Sequence, residues 1–390
     1  MKAVTLFFYF CLFICSMVSL FFGLQCKKKA TDIALLNNEE KEQTNTKYKI
    51  LSFIFLFLTF LIMFLPAMLR KDIGVDYKLY ATTYENIVNG EISETTKSWL
   101  GHTFIWICQL LGFLFGNNAF IFFAIMSFIT VFFMLKAICK QSSLPVVSLC
   151  LYYAFCLYLQ SYNQARQCVS FSLCAWAFSF LKEKKVWKFL IVLLFACFFH
   201  NSAIVVLPLA LLYKMPLNKK TIIAYVSLAV IVFAAYPLIV KLLQFTSYGE
   251  RYFGELGYNV SFDKNVILNT LIRACLLTLC LLVFKPCMQK NEKNLIYYHL
   301  IILCMIVQII TIRNRIFSRI TTYFFLGYIF LVPDVLSAYI EKFKNHKFLT
   351  KNVMMVAFFT ACTCYFLVYY FSASGAVGCG YDIYKSIFGK

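Results

Sequence analysis

Seven of the 37 basic residues are arginine: Arg70, Arg166, Arg251, Arg273, Arg313, Arg315 and Arg319. Hydropathy patterning places all seven on, or just below, one side of a membrane. Lysines crowd the loops assigned to the other side, where the positive-inside bias is sufficient cause. Arginine opposite them needs a different reason. A guanidinium is always charged and forks onto two oxygens at once, so the chemistry it suits is the grip of an anion such as a phosphate.

The spacing of these cations is specific. Ser161-Tyr162-Asn163-Gln164-Ala165-Arg166-Gln167 interrupts two apolar runs with a dense polar turn. Arg166 there either snorkels to the interface or forks onto an anion at a helix N-terminus, where backbone N–H groups add to the attraction. Arg315 and Arg319 are four apart, so on one helix they share a face, and Tyr323 continues that face. Lipid headgroups are the bland partners for this pair, and a bound anion is the sharper one. Arg273 stands seven residues into an apolar run. It either marks a functional site within the membrane or pairs with Glu250 or Glu255. Arg70 and Arg313 read as interfacial anchors, and Arg251 as a supporting cation.

Proton chemistry has two candidates. His200, followed by Asn201 and Ser202, breaks an apolar stretch between two lysine clusters, and a turn at membrane depth must be buried in protein or line a cavity. Asp76 in Gly74-Val75-Asp76-Tyr77 is the second, with Tyr80 and Tyr84 after it. Either serves as a general base if a hydroxyl lies within reach. No second histidine stands at metal-ligand spacing, so no metal site is expected. Most of the 17 cysteines lie in apolar runs, with no C-x-x-C pair, and read as small hydrophobes.

The elements that must position these residues are membrane helices. Sixty-two per cent of residues are hydrophobic and 14% charged, and apolar runs of about 20 residues recur, each enough to cross a bilayer. The +20 formal charge sits mostly in short loops and does not indicate nucleic acid. No small-x-small cleavage site follows the first apolar run, which is kept as a helix. Lysine clusters then set the alternation. Spans are expected over 50–69, 118–135, 144–159, 166–181, 221–242, 266–284, 295–312, 316–338 and 353–371, with 100–115 lying at the outer interface. Only about 25 residues separate the clusters at 182–188 and 214–220, which fits a pair of shortened helices meeting at His200. The expectation is an all-α polytopic protein with about 10–12 transmembrane helices in one integral membrane domain, 1–390. Within it, 1–49 is a first span with a lysine-rich loop, 50–371 the core, and 372–390 an outward-facing tail.

Arg166-Gln167, a lysine-rich turn and Phe199-His200-Asn201-Ser202-Ala203 follow one another in an order that resembles the EpsG family of exopolysaccharide and capsule loci. Gly74-x-Asp76-x-x-x-Tyr80, the arginines at 313–319 and the aromatic tail fit the same pattern, over roughly Ile50 to the C-terminus. The resemblance implies a Wzy-like polymerase with a GT-C-like arrangement of helices, working at the outer face of the bacterial cytoplasmic (inner) membrane. Its substrates would be oligosaccharide repeat units on undecaprenyl pyrophosphate, with no cofactor. Its surroundings would be membrane lipids and the flippase and chain-length regulator of the same pathway. In that scheme Arg166, Arg315 and Arg319 hold the pyrophosphate, with Arg273 and Arg251 in support. His200 or Asp76 activates the acceptor hydroxyl, and Gln167, Asn201, Ser202, Tyr80 and Tyr323 contact substrate. Outer tyrosines (77, 80, 84, 162, 248, 252) would stack on sugars. A lipid-linked oligosaccharide flippase and a membrane O-acyltransferase are the competing classes.

Overall fold

The computed structural model describes residues 1–35, 41–245, 264–372 and 376–388. Among these the chain is helical apart from turns and one isolated β-bridge between Arg70 and Ser386. Two long helices open it, α1 (Lys2–Ala34) and α2 (Lys41–Leu69). They form a hairpin in which Gly23 lets Leu56 approach closely, and Ser52 Oγ donates to the Gly23 carbonyl at 2.9 Å. Small residues at the crossing replace the hydrophobic effect, which lipid cannot supply.

The stretch after α2 forms three short helices, α3 (Tyr77–Asn89), α4 (Glu94–Leu100) and α5 (His102–Phe115), the last of them the expected interfacial segment 100–115. At 14 residues, α5 covers about 21 Å, too little to cross a bilayer. One face buries Phe104, Ile105, Cys108 and Leu111, while Trp106, Leu110 and Phe113 lie exposed. That two-sided pattern fits the interfacial placement.

The helix α6 (Ala119–Gln141) begins where Asn118 caps Phe120 N–H, and it packs on α9 (Ala165–Lys182). Between them the expected span over 144–159 is corrected. Its helix, α7 (Pro145–Ala154), has ten residues. Cys156 then takes a left-handed conformation (φ 55°) before the single turn α8 (Leu157–Gln160). The break is wholly buried, as is most of the polar segment 161–167 that follows it.

The predicted pair of shortened helices is present. α10 (Val186–Phe199) ends at His200, and a 3₁₀ segment (Asn201–Val206) and α11 (Leu209–Leu212) follow. Two further expected spans are bent. α12 (Lys219–Ala234) meets α13 (Tyr236–Gln244) at 58°, and α14 (Lys264–Leu282) meets α15 (Phe284–Lys290) at 60°. α16 (Leu295–Arg313), α17 (Ser318–Lys342) and α18 (Lys351–Phe371) are continuous, and α19 (Ala376–Cys379) leads into the tail. Gly327 lets α17 lie against Tyr297, Leu300 and Ile301 of α16. By length and apolarity six of the described helices can cross a membrane, or up to eight with each bent pair as one span. The buried break at Cys156 and the polar start of α9 account for much of the difference from ten to twelve.

Hydrogen bonds gather the segments into two ends. At one, the tail crosses the loop after α2. Gly74 N–H donates to Gly380 O, Lys71 N–H to Lys385 O and Tyr9 Oη to Tyr381 O, and Lys2 pairs with Asp382 at 2.8 Å. At the other, Lys140 and Lys185 share Glu183, and Lys182 donates to Gln141 O. Every segment joined at each end had been assigned by the lysine alternation to the same side.

Candidate functional site

The site begins with a close approach of backbone. Gly74 has φ +90°, and a Cβ there would meet the Tyr162 carbonyl oxygen at 2.8 Å. Only glycine combines that conformation with that contact. The loop therefore docks on the polar turn, and Asp76 N–H donates to Asn163 Oδ1 at 2.9 Å. Asp76 stands at the N-cap of α3, yet its carboxylate makes no cap hydrogen bond to the helix.

From the same turn Arg166 enters α9, buried to 7% exposure. Its Nε donates to Phe199 O at 3.2 Å and its Nη2 to Leu100 O at 2.5 Å, and its Cζ lies 4.0 Å from the centre of the Phe104 ring. One guanidinium thus satisfies a carbonyl at each of two helix ends, where helical partners run out. The next residue, Gln167, is also buried and donates to the Arg319 carbonyl at 2.7 Å, which ties α17 to α9.

His200 follows the carbonyl that Arg166 Nε holds. Its Nδ1 lies 2.6 Å from Ser202 Oγ and accepts from Ser202 N–H at 3.3 Å, capping the 3₁₀ segment. Ser202 Oγ is hydrogen-bonded to Tyr323 Oη at 3.1 Å, and Tyr323 Oη to Ser170 Oγ at 3.2 Å. Asn201 is exposed, and His200 and Ser202 are half-buried. The charges of Arg166 and Arg319 both bear on the imidazole. They bear also on Tyr80, together with Asp76. Burial pushes that phenol up to about 12, Arg166 and Arg319 pull against it, and Asp76 adds to the rise.

The structure therefore brings Asp76, Tyr80, Arg166, His200 and Arg319 into one electrostatic neighbourhood, with Asn201 and Ser202 beside them. Other expected members stand elsewhere. Arg273 donates to Gln308 Oε1 and lies 4.8 Å from the Phe325 ring, among residues of α16 and α17. Arg315 begins a 3₁₀ turn that leads directly into the helix carrying Arg319. Arg251, Glu250, Glu255, Tyr248 and Tyr252 lie outside the described residues. Tyr323 is fully buried and meets two serines. Tyr84 and Tyr162 are core residues, hydrogen-bonded to Gly116 O and Tyr158 Oη, and neither presents a ring at the surface.

Sequence reasoning misplaced Arg70. It is 1% exposed, donates to Ala67 O and to Ser127 Oγ (3.0 Å), and lies between the rings of Phe123 and Tyr162 at 4.9 and 5.2 Å. Arg313 fits an anchor better, stacked on Phe233 at 4.0 Å. Ser170 had no sequence signal, since a lone serine in an apolar helix is ordinary. Among the described residues no three His, Cys, Asp or Glu side chains are grouped as a metal site.

No curated protein and no solved structure matches the chain. The EpsG family does match it, over residues 53–387, which span the Gly74 loop, the Arg166 turn, the His200 break and the start of α17. The protein therefore belongs to the EpsG family, a membership that fits a multi-pass membrane protein of polysaccharide biosynthesis.

Proposed function

We propose that the protein is a polysaccharide polymerase that joins oligosaccharide repeat units carried on undecaprenyl pyrophosphate, at the outer face of the cytoplasmic membrane. The observation that carries the reading is that Arg166 holds the carbonyl just before His200 while Gln167 beside it holds the Arg319 carbonyl, which ties both arginine positions to the His200 turn. Transfer leaves a lipid pyrophosphate behind, and preorganised cations stabilise the charge that develops on it better than water does. Arg319, supported by Arg315, holds the pyrophosphate. Arg166 adds its charge while its donors to Leu100 and Phe199 keep the His200 turn in place. Asp76 or His200 receives the acceptor proton, and Tyr80 and Asn201 contact sugar. Arg273 stands too far from this group in its contacts to share the role.

Membranes supplied with the native lipid-linked repeat unit test the reading through polymer length. With each variant shown to be inserted, Arg319→Lys is expected to abolish elongation and His200→Ala to lower its rate roughly a hundredfold. Arg166→Lys should lower it by roughly a hundredfold, because a lysine cannot fork onto two carbonyls. Full-length polymer from Arg319→Lys would remove the pyrophosphate grip. Lipid-linked unit crossing vesicles without being joined would favour a flippase instead.

A further inference from the structure

We infer that His200 is a hydrogen-bond donor to the substrate through Nε2, and that Ser202 and Tyr323 are positioning residues that impose this on it. The inference deepens the polymerase reading and rests on it for the identity of the substrate. It starts from Ser202 N–H, which approaches Nδ1 at 3.3 Å while Ser202 Oγ lies 2.6 Å from the same atom. A backbone N–H cannot accept. A proton on Nδ1 would face it head on, so Nδ1 is the bare nitrogen, and in the neutral imidazole the proton sits on Nε2.

The surrounding groups reinforce that state. Ser202 Oγ carries one proton within reach of both Tyr323 Oη and Nδ1, and with Nδ1 bare that proton turns to Nδ1, while Tyr323 Oη, fully buried, lies between Ser202 Oγ and Ser170 Oγ. The hydroxyl therefore has a fixed place beside Nδ1. Burial, and then the charges of Arg166 from α9 and Arg319 from α17, oppose a second proton on the ring. Nε2 has no hydrogen-bond partner among the described residues, and it is not one of the buried polar atoms shut away from solvent. A ring held in this way offers an N–H outward and keeps its basic lone pair turned inward.

This sorts the two candidates for proton chemistry. The acceptor oxygen forms the new bond to the anomeric carbon, and its proton passes to the Asp76 carboxylate. The bond from that carbon to the pyrophosphate oxygen breaks, and the electron pair stays on the leaving oxygen. Nε2–H of His200 donates to that oxygen as its charge grows, without transferring its proton. The histidine then assists departure, and the carboxylate serves as base.

Glutamine and asparagine separate the alternatives, since a glutamine amide reaches the place of Nε2–H and asparagine reaches only that of Nδ1. Neither can act as a base at neutral pH. The initial rate of polymer formation is expected to fall roughly a hundredfold in His200→Ala and His200→Asn, and only about tenfold in His200→Gln. Ser202→Ala should lower kcat about tenfold at unchanged KM for the repeat unit, with rescue by Ser202→Thr, and should add nothing in the His200→Gln background. A His200→Gln variant as inactive as His200→Ala, both inserted, would overturn the donor role, as would a normal kcat in Ser202→Ala. The ¹⁵N shifts of the imidazole read the tautomer without substrate. A protonated Nδ1 would overturn the inference even if the wild type polymerised, whereas wild type that makes no polymer would count against the proposed function instead.

Discussion

Two pairs of cations at opposite ends of the molecule are held in opposite ways. At the lysine-rich end, Lys140 and Lys185 share the Glu183 carboxylate at 2.7 and 2.8 Å, with side chains 31–48% exposed. At the other end, Arg70 and Arg166 are buried against carbonyl oxygens and aromatic faces. An exposed ion pair cancels its charges and is screened by salt. A guanidinium fixed by neutral acceptors keeps its charge, and its geometry is set before any ligand arrives. The first arrangement suits orientation in a membrane. The second suits a site whose positive field must be ready for an anion.

Removing a buried guanidinium is the severest way to break this contrast. Arg70→Ala should destabilise the protein by about 3 kcal/mol, through the cavity and the stranded Ala67 carbonyl. Arg70→Met should cost less, since it fills the space and removes a desolvated charge whose Nε has no partner. Thermal unfolding in detergent ranks the two, and equal losses would mean that the charge itself, not its volume, matters to stability. Gly74→Ala comes next, at about 2 kcal/mol for the positive φ and the contact with Tyr162 O. It should also lower polymer yield, because the loop carries Asp76, and unchanged melting and yield would show that the docking is unimportant.

The smallest effect belongs to the exposed end. Hydrogen bonds from Lys140, then Lys185, hold the Glu183 carboxyl down at about 2, against an ordinary value of 4.5. Because the folded-state value is depressed, the pairing stabilises above about pH 4.5 and is lost as pH falls towards 2. Glu183→Gln should therefore cost well under 1 kcal/mol at neutral pH, given the exposure of the pair. Its melting temperature should converge with that of wild type near pH 2, and a gap that widened on acidification would contradict the ion-pair account.

How much of this was legible in the sequence follows from which forces are local. The break at His200 was readable, because two lysine clusters stood too close for two full spans and a polar quartet lay between them. The short α5 was readable for the same reason of length and side. The buried turn at Cys156 was not, since an apolar run says nothing about a left-handed residue within it. The bends near Ala235 and Val283 escaped likewise. Arg70 looked like an anchor because burial of an arginine depends on rings and carbonyls that come from distant segments.

By itself, the sequence determined the class of the protein, the break at His200 and the identity of the residues gathered at one end. Those follow from hydrophobicity, charge and spacing, which act along the chain. The tertiary structure decided which arginine serves the fold and which faces His200, because that choice is made by carbonyl oxygens and ring faces tens of residues apart. It also decided the orientation of the histidine, through a backbone N–H two residues on and a tyrosine from another helix. No pattern of residue types carries that information; only their arrangement does.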